Sequence, residues 1–94
     1  MRLSLKEVSI IKEKVTTIFG DTIIYLFGSR VDDSKQGGDI DLYVVSKDNE
    51  KLFEKKIKLK IVLEDLLFKP VDIIIAKDKN RSIEKEALMW GVKL

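Results

Sequence analysis

Val8, Ile11, Val15 and Ile18 recur at the three- and four-residue intervals of one helix face. They follow Ser4-Leu5-Lys6-Glu7, a capping box in which the serine and the glutamate can each satisfy the other's backbone N–H. Gly20 supplies a stop, so the pattern predicts an amphipathic helix over residues 5–19. Thr22 to Phe27 is short, β-branched and aromatic and ends at Gly28, the profile of a buried strand. Residues 28–38 are rich in turn formers (Asp32, Asp33, Ser34, Gly37, Gly38), and a second strand is predicted from Asp39 to Val45. A long helix is expected over residues 49–68, with Leu52, Leu59, Val62, Leu63, Leu66 and Leu67 near one side and Lys51, Lys55 and Lys58 on another. Lys69-Pro70 ends it, because the residue before proline is driven out of the helical region. Val71 to Ala76 reads as a third strand, apolar except for Asp72. A last helix opens at Ser82, carries Glu84 and Glu86 in its first turns where the helix dipole favours anions, and runs to Trp90 before Gly91.

The order is α-β-β-α-β-α. A strand, a crossover helix and another strand require a parallel pair, so the expected architecture is α/β: a single small domain over residues 1–94, with a mixed sheet flanked by helices. Trp90, Val92 and Leu94 are expected to fold back on the core as the end of the last helix.

Composition narrows the chemistry more than the fold. At 94 residues the chain should bury roughly 60–65% of its unfolded surface, enough for one core and little else. A bulky co-substrate would therefore be held by another chain or by an exposed face. The 18 basic and 16 acidic residues are interspersed, leaving a net charge of +2 and no evident surface dedicated to nucleic acid. Cysteine and histidine are both absent. Disulfides, thiol chemistry, Ser-His-Asp and Cys-His nucleophiles and histidine-ligated zinc are thereby excluded. Carboxylate, lysine, arginine, tyrosine and hydroxyl remain, a set suited to hard, oxygen-liganded cations. The longest apolar run, Ile23 to Phe27, is far too short to span a bilayer, and with no secretory pattern at the N-terminus the cytoplasm is the expected setting.

The candidate chemistry lies between Phe27 and Leu42. Gly28 can take a positive φ and admit a phosphate close to the backbone, and Ser29 adds a hydroxyl donor. In an extended strand Asp39 and Asp41 project to one side about 7 Å apart, with Ile40 and Leu42 on the other. Such a pair repels. Without a cation one member should hold its proton to higher pH; a divalent metal would keep both ionised. Plainer roles exist for each residue. Gly28 and Ser29 can simply end a strand and cap a turn, Asp39 and Asp41 can be solvated at a strand's start, and Asp72 can form a salt bridge with a helix lysine. The lysines of the long helix read as a solvated face. Lys77, Lys79 and Arg81 read as surface charges within reach of a phosphate or an acidic partner.

An apolar residue, Gly28-Ser29, a loop of about ten residues and Asp39-Ile40-Asp41-Leu42 together resemble the minimal nucleotidyltransferases of the DNA polymerase β superfamily. The likeness extends to chain length, element order, the isolated Asp72 on the third strand and a last helix ending in Gly91-Val92. It implies the nucleotidyltransferase fold. It also implies that Gly28, Ser29 and Arg30 grip the triphosphate of a nucleotide, with ATP the expected one, and that Asp39 and Asp41 bind two Mg²⁺ ions, for which Mn²⁺ can substitute. Asp72 would be the third carboxylate, ligating metal and helping to deprotonate the acceptor hydroxyl. Many such domains partner a small helical HEPN protein, and some neutralise it as antitoxins by transferring AMP to it. After Arg30 many relatives read Ala-Arg-Gly, whereas this chain has Val31-Asp32-Asp33, which places acid where phosphate attraction is needed. Two readings follow: a nucleotidyltransferase that passes NMP to a protein hydroxyl, and a nucleotide-binding module of little or no turnover that works by masking its partner.

Overall fold

Ser4 and Glu7 form the expected capping box. The Glu7 N–H donates to Ser4 Oγ at 3.1 Å and the Ser4 N–H to Glu7 Oε1 at 3.0 Å. Helix α1 runs Leu5–Phe19 from this cap and buries Ile11, Val15 and Phe19. The computed structural model describes residues 3–28 and 38–94, and the elements below are those of the described residues. Strand β1 spans Thr22–Phe27, β2 Ile40–Ser46, α2 Leu52–Leu67, β3 Val71–Ile75, α3 Ser82–Trp90 and β4 Val92–Lys93.

The sheet order is β3-β2-β1-β4. β1 pairs antiparallel with β2 and with β4, and β2 pairs parallel with β3, the pairing that the α2 crossover makes possible. Alternation then divides the side chains between two faces. Leu26, Leu42, Val44 and Ile73 pack with Ile11 and Val15 of α1 and with Leu59 and Leu63 of α2 in the main core. Phe27, Tyr43 and Ile74 point the other way, where a smaller cluster gathers around Ile83 and Ala87 of α3. Asp41 and Asp72 have the alternation of this second face, at the end of the sheet where β2 and β3 begin.

Several boundaries differ from the sequence expectation, each for a local reason. β2 begins at Ile40, so Asp39 lies just outside the strand. α2 begins at Leu52 because Asp48 organises a turn ahead of it, accepting from the Glu50 N–H at 2.9 Å and pairing with Lys55 at 3.1 Å. Leu66 lies on the solvent side of α2, 41% exposed, while Leu59, Leu63 and Leu67 make its buried stripe. The C-terminal residues form β4, a strand that the α-β-β-α-β-α order omits. Val92 pairs with Leu26 and the Leu94 N–H donates to Ile24 O. Trp90 does not join them; it remains 68% exposed beside Met89. Gly91 permits the reversal, since a Cβ there would lie 2.2 Å from Ala87 O. No helix among the described residues is long and apolar enough to cross a membrane.

Candidate active site

Register, more than sequence spacing, assembles the site. Asp41 of β2 and Asp72 of β3 are direct partners in the parallel ladder, and Phe27 at the end of β1 opposes Asp41 on its other side. Gly28 follows Phe27 with φ 76°, and a Cβ on it would lie 2.3 Å from Asp41 Oδ2. A side chain here would both strain the backbone and displace the Asp41 carboxylate, so glycine suits the position. These residues open into a cleft of about 580 Å³, whose walls are completed by Lys56 and Lys60 of α2 and by Ile83 and Glu86 of α3.

Asp41 is pushed up to about 6 from an ordinary value of 3.8. Burial is the main cause, followed by the charges of Asp72, Asp39 and Glu86 and a hydrogen bond with Asp72. The repulsion anticipated from the sequence is therefore present, but the principal partner is Asp72 rather than Asp39. Asp39 is exposed, just before β2, and acts on Asp41 through space. Asp72 is 59% exposed in its side chain and lies 3.9 Å from Lys60 Nζ. The sequence reading of a helix lysine beside Asp72 is thus met, and the full penalty of an unpaired buried acid is not incurred. Ser29 and Arg30, the other triphosphate-gripping candidates, lie outside the described residues, as do Val31, Asp32 and Asp33.

Lys60 does more than face Asp72. Its ammonium donates to Val71 O at 2.6 Å and pairs with Glu64 at 3.0 Å, while Glu64 Oε2 accepts the Val71 N–H at 2.8 Å. One turn of α2 therefore satisfies both outward peptide groups of Val71, as a neighbouring strand would, and fixes the backbone next to Asp72. The accepted bonds and the Lys60 charge hold Glu64 below the usual carboxylate range, the Val71 N–H contributing most. Lys56 and Lys60 were read from sequence as part of a solvated face. Because β3 is an edge strand, both side chains instead reach around it into the cleft.

The residue that sequence reasoning missed is Glu84. Expected as a dipole-favoured acid at the start of α3, it is completely buried. It accepts from the Tyr43 hydroxyl at 2.8 Å, from the N–H groups of Lys77 and Asp78 at 3.1 and 2.9 Å, and from Arg81 at 3.3 Å. Burial alone would raise its pKa, but these donors together hold it below the ordinary value. Burial and the bond to Glu84 push Tyr43 up to about 12. Tyr43 lies two residues beyond Asp41, and Lys77 follows the strand that carries Asp72, so Glu84 ties α3 across both carboxylate-bearing strands. The available signal was its place between Ile83 and Ala87 on the inward side of α3.

Among the described residues no three acidic side chains are already gathered in one ligand set. The donor chemistry nevertheless suits a hard divalent cation: two in-register carboxylates meet, the pKa of Asp41 raised by burial and by the acids around it, next to glycine backbone at positive φ. A cation there would relieve the repulsion that raises Asp41.

The fold and the paired carboxylates at the end of a mixed sheet define a nucleotidyltransferase domain, and the comparisons agree. The family model described as "Polymerase beta, Nucleotidyltransferase" matches residues 10–94, and the chain belongs to that family. Among solved structures it resembles a variant of the toxin-antitoxin MntA-HpeT, with 25% identity and a TM-score of 0.72 over 96% of this chain and 71% of the other. It is also similar to a chain in the complex of a tri-AMPylated Shewanella oneidensis HEPN toxin with its MNT antitoxin, at 25% identity and a TM-score of 0.69, covering 95% of this chain and 68% of that one. A further Shewanella oneidensis crystal structure shares the fold at 15% identity, with a TM-score of 0.77 over 98% and 71% of the two chains. No curated protein shows significant similarity to the sequence.

Proposed function

We propose that this chain is a Mg²⁺-dependent nucleotidyltransferase that passes AMP from ATP to a hydroxyl of a protein partner, and that the partner is a HEPN-type toxin for which it serves as antitoxin. The observation that carries this reading is the in-register pair Asp41–Asp72 facing an open cleft, with Gly28 backbone against Asp41. The family supports the reaction class, and the AMPylated HEPN toxin in the related complex supports the acceptor.

Asp41 and Asp72, with Asp39 just before β2, would hold the Mg²⁺. When bound, the metal would supply charge neutralisation for the departing pyrophosphate and a lowered pKa for the attacking hydroxyl. The remaining work falls to the chain. Gly28 leaves room for phosphate beside Asp41, and Ser29 with Arg30 follows as the proposed triphosphate grip. Asp72, the more exposed of the pair, accepts the proton of the acceptor hydroxyl as its oxygen bonds to the α-phosphorus and the bond to the β-phosphate breaks. The clamp of Lys60 and Glu64 on Val71 holds Asp72 in register while this happens. The acids Asp32 and Asp33 beside Arg30 favour a second reading, a partner-masking module with weak turnover.

Incubation with labelled ATP, Mg²⁺ and the copurifying partner tests the proposal. Wild type should label the partner, and Asp72→Asn should reduce labelling by at least about 10²-fold, the scale of a lost general base. ATP with Mg²⁺ should raise the melting temperature of wild type and of Asp72→Asn but not of Asp41→Asn. Equal labelling by wild type and Asp72→Asn would remove Asp72 from the chemistry. A melting shift without labelling by wild type would favour the masking module.

A further inference from the structure

Trp90 is the single tryptophan of the sequence, and the fold leaves it 68% exposed. Its neighbours on α3 define where it stands. Glu84 and Ala87 are completely buried on the side turned to the sheet, while Ile83 and Glu86 form the α3 wall of the carboxylate cleft. At about 100° per residue, Trp90 falls between those two wall residues around the helix, seven positions after Ile83 and four after Glu86. Helix side chains lean toward the preceding turn, which brings the indole back toward the level of Glu86.

The end of α3 also lies at the Gly28 end of the cleft. A Cβ on Gly91 would be 3.2 Å from Leu26 O, and Val92 pairs with Leu26. Phe27 and Gly28 follow at once, Phe27 opposing Asp41 and Gly28 approaching its carboxylate. An exposed indole therefore flanks the cleft beside the proposed phosphate entry. The lysines that line the cleft, Lys56 and Lys60, come from α2, whereas the α3 flank presents Ile83, Glu86 and Trp90. A carboxylate next to an aromatic ring repels phosphate. It suits an uncharged group that has a flat ring and hydroxyl donors, which is the nucleoside half of a nucleotide.

We propose that Trp90 is the stacking platform for the base of the bound nucleotide, with the phosphates toward Gly28 and Asp41, the ribose beside Glu86 and the base laid on the indole. The proposal rests on the transferase reading and assigns the nucleoside to the α3 side of that site. Every base has a π-face, so an indole can hold one without a pattern of hydrogen bonds from the protein. The fold supplies no other cover for the ring: Val92 returns to β1 and Leu94 packs on the main core, while Trp90 stays in solvent. A base is favoured over a protein surface because the neighbouring exposed residues do not extend the ring into one apolar face. Leu88 and Met89 point about 200° and 100° away from it around the helix.

Tryptophan emission reads the contact directly, because no second indole contributes. ATP with Mg²⁺ should quench it. Inorganic tripolyphosphate with Mg²⁺, which carries the phosphates and no base, should bind without quenching. In a calorimetric titration Trp90→Ala should weaken ATP binding by at least about tenfold, or about 1.4 kcal/mol, the scale of one base–aromatic stack, and leave the affinity for tripolyphosphate unchanged. Trp90→Phe should restore ATP binding to within about threefold of wild type, since a smaller ring still stacks. Circular dichroism verifies that both variants are folded. Equal quenching by tripolyphosphate, or unchanged ATP affinity in Trp90→Ala, would overturn the proposal. So would quenching by the copurifying partner but not by ATP, which would make Trp90 part of a protein interface. ATP that binds without quenching overturns this proposal and leaves the transferase reading standing; wild type that binds no ATP overturns both.

Discussion

Two groups of acids lie on the same face of the sheet and behave oppositely. Glu84 is completely buried yet held below the ordinary carboxylate range, because the Tyr43 hydroxyl, two backbone N–H groups and Arg81 converge on it. Asp41 is less buried yet pushed up to about 6, by burial first and then by the neighbouring acids Asp72, Asp39 and Glu86, with no donors to offset them. Burial raises both, so the difference lies in the company each keeps. A carboxylate surrounded by donors is a fastener. One surrounded by carboxylates is a position suited to a positive ligand, and this contrast separates structure from site more sharply than exposure does.

The largest expected effect breaks the fastener. Glu84→Ala leaves the Tyr43 hydroxyl, the Lys77 and Asp78 N–H groups and Arg81 without their acceptor, and should cost about 3–5 kcal/mol in a urea titration. A loss of only about 0–1 kcal/mol, the worth of an exposed ion pair, would erase the contrast. Asp41→Asn should move stability the other way without metal, leaving it unchanged or raising it by about 0.5–2 kcal/mol, since one of two clustered charges is removed. A clear loss of stability in this variant would make Asp41 a structural residue.

pH should sharpen the same comparison. The folded-state pKa of Asp41 exceeds its unfolded value, so the folded chain binds more protons between about 3.8 and 6. The stability it contributes is complete below the lower value and lost as pH rises through the upper one. Glu84, with its folded-state pKa lowered, contributes stability that is present above its unfolded value and lost as pH falls through the folded one. The gain in melting temperature of Asp41→Asn over wild type should therefore be full at neutral pH and vanish in acid. Glu84→Gln should show its full deficit at neutral pH and a shrinking one in acid. Parallel curves for the two variants would contradict the opposite assignments.

The smallest effect concerns Lys60, the nearest cation to Asp72. Lys60→Met removes the donor to Val71 O and a half-exposed ion pair with Glu64, and should cost about 1 kcal/mol. A double-mutant cycle with Asp72→Asn should give a coupling below about 1 kcal/mol, because the 3.9 Å pair faces solvent. A larger coupling would make Lys60 a true partner of the acid pair and weaken the view that Asp41 and Asp72 are left to repel one another.

Much of this was legible in the sequence. Ser4 and Glu7 marked the start of α1, Thr22 to Phe27 matched β1 residue for residue, and Ser82 and Trp90 bounded α3, because caps, β-branched runs and glycine stops are local signals. The parallel pair followed from a strand, a long helix and another strand; Gly28, Asp39 and Asp41 were candidates from residue type and spacing, and Asp72 from the family resemblance. Three things depended on the tertiary structure. Register, a relation between distant segments, made Asp72 rather than Asp39 the close partner of Asp41. The place of β3 at the sheet's edge turned Lys56 and Lys60 from solvated charges into walls of the cleft, since a side chain can pass only around an uncovered strand. The burial of Glu84 depended on donors 41 and 7 residues away in the chain, converging where no local pattern records them. Sequence fixes which groups are available and which local conformations they prefer; which charges meet, and whether they meet donors or one another, is settled when strands pair and helices choose a face.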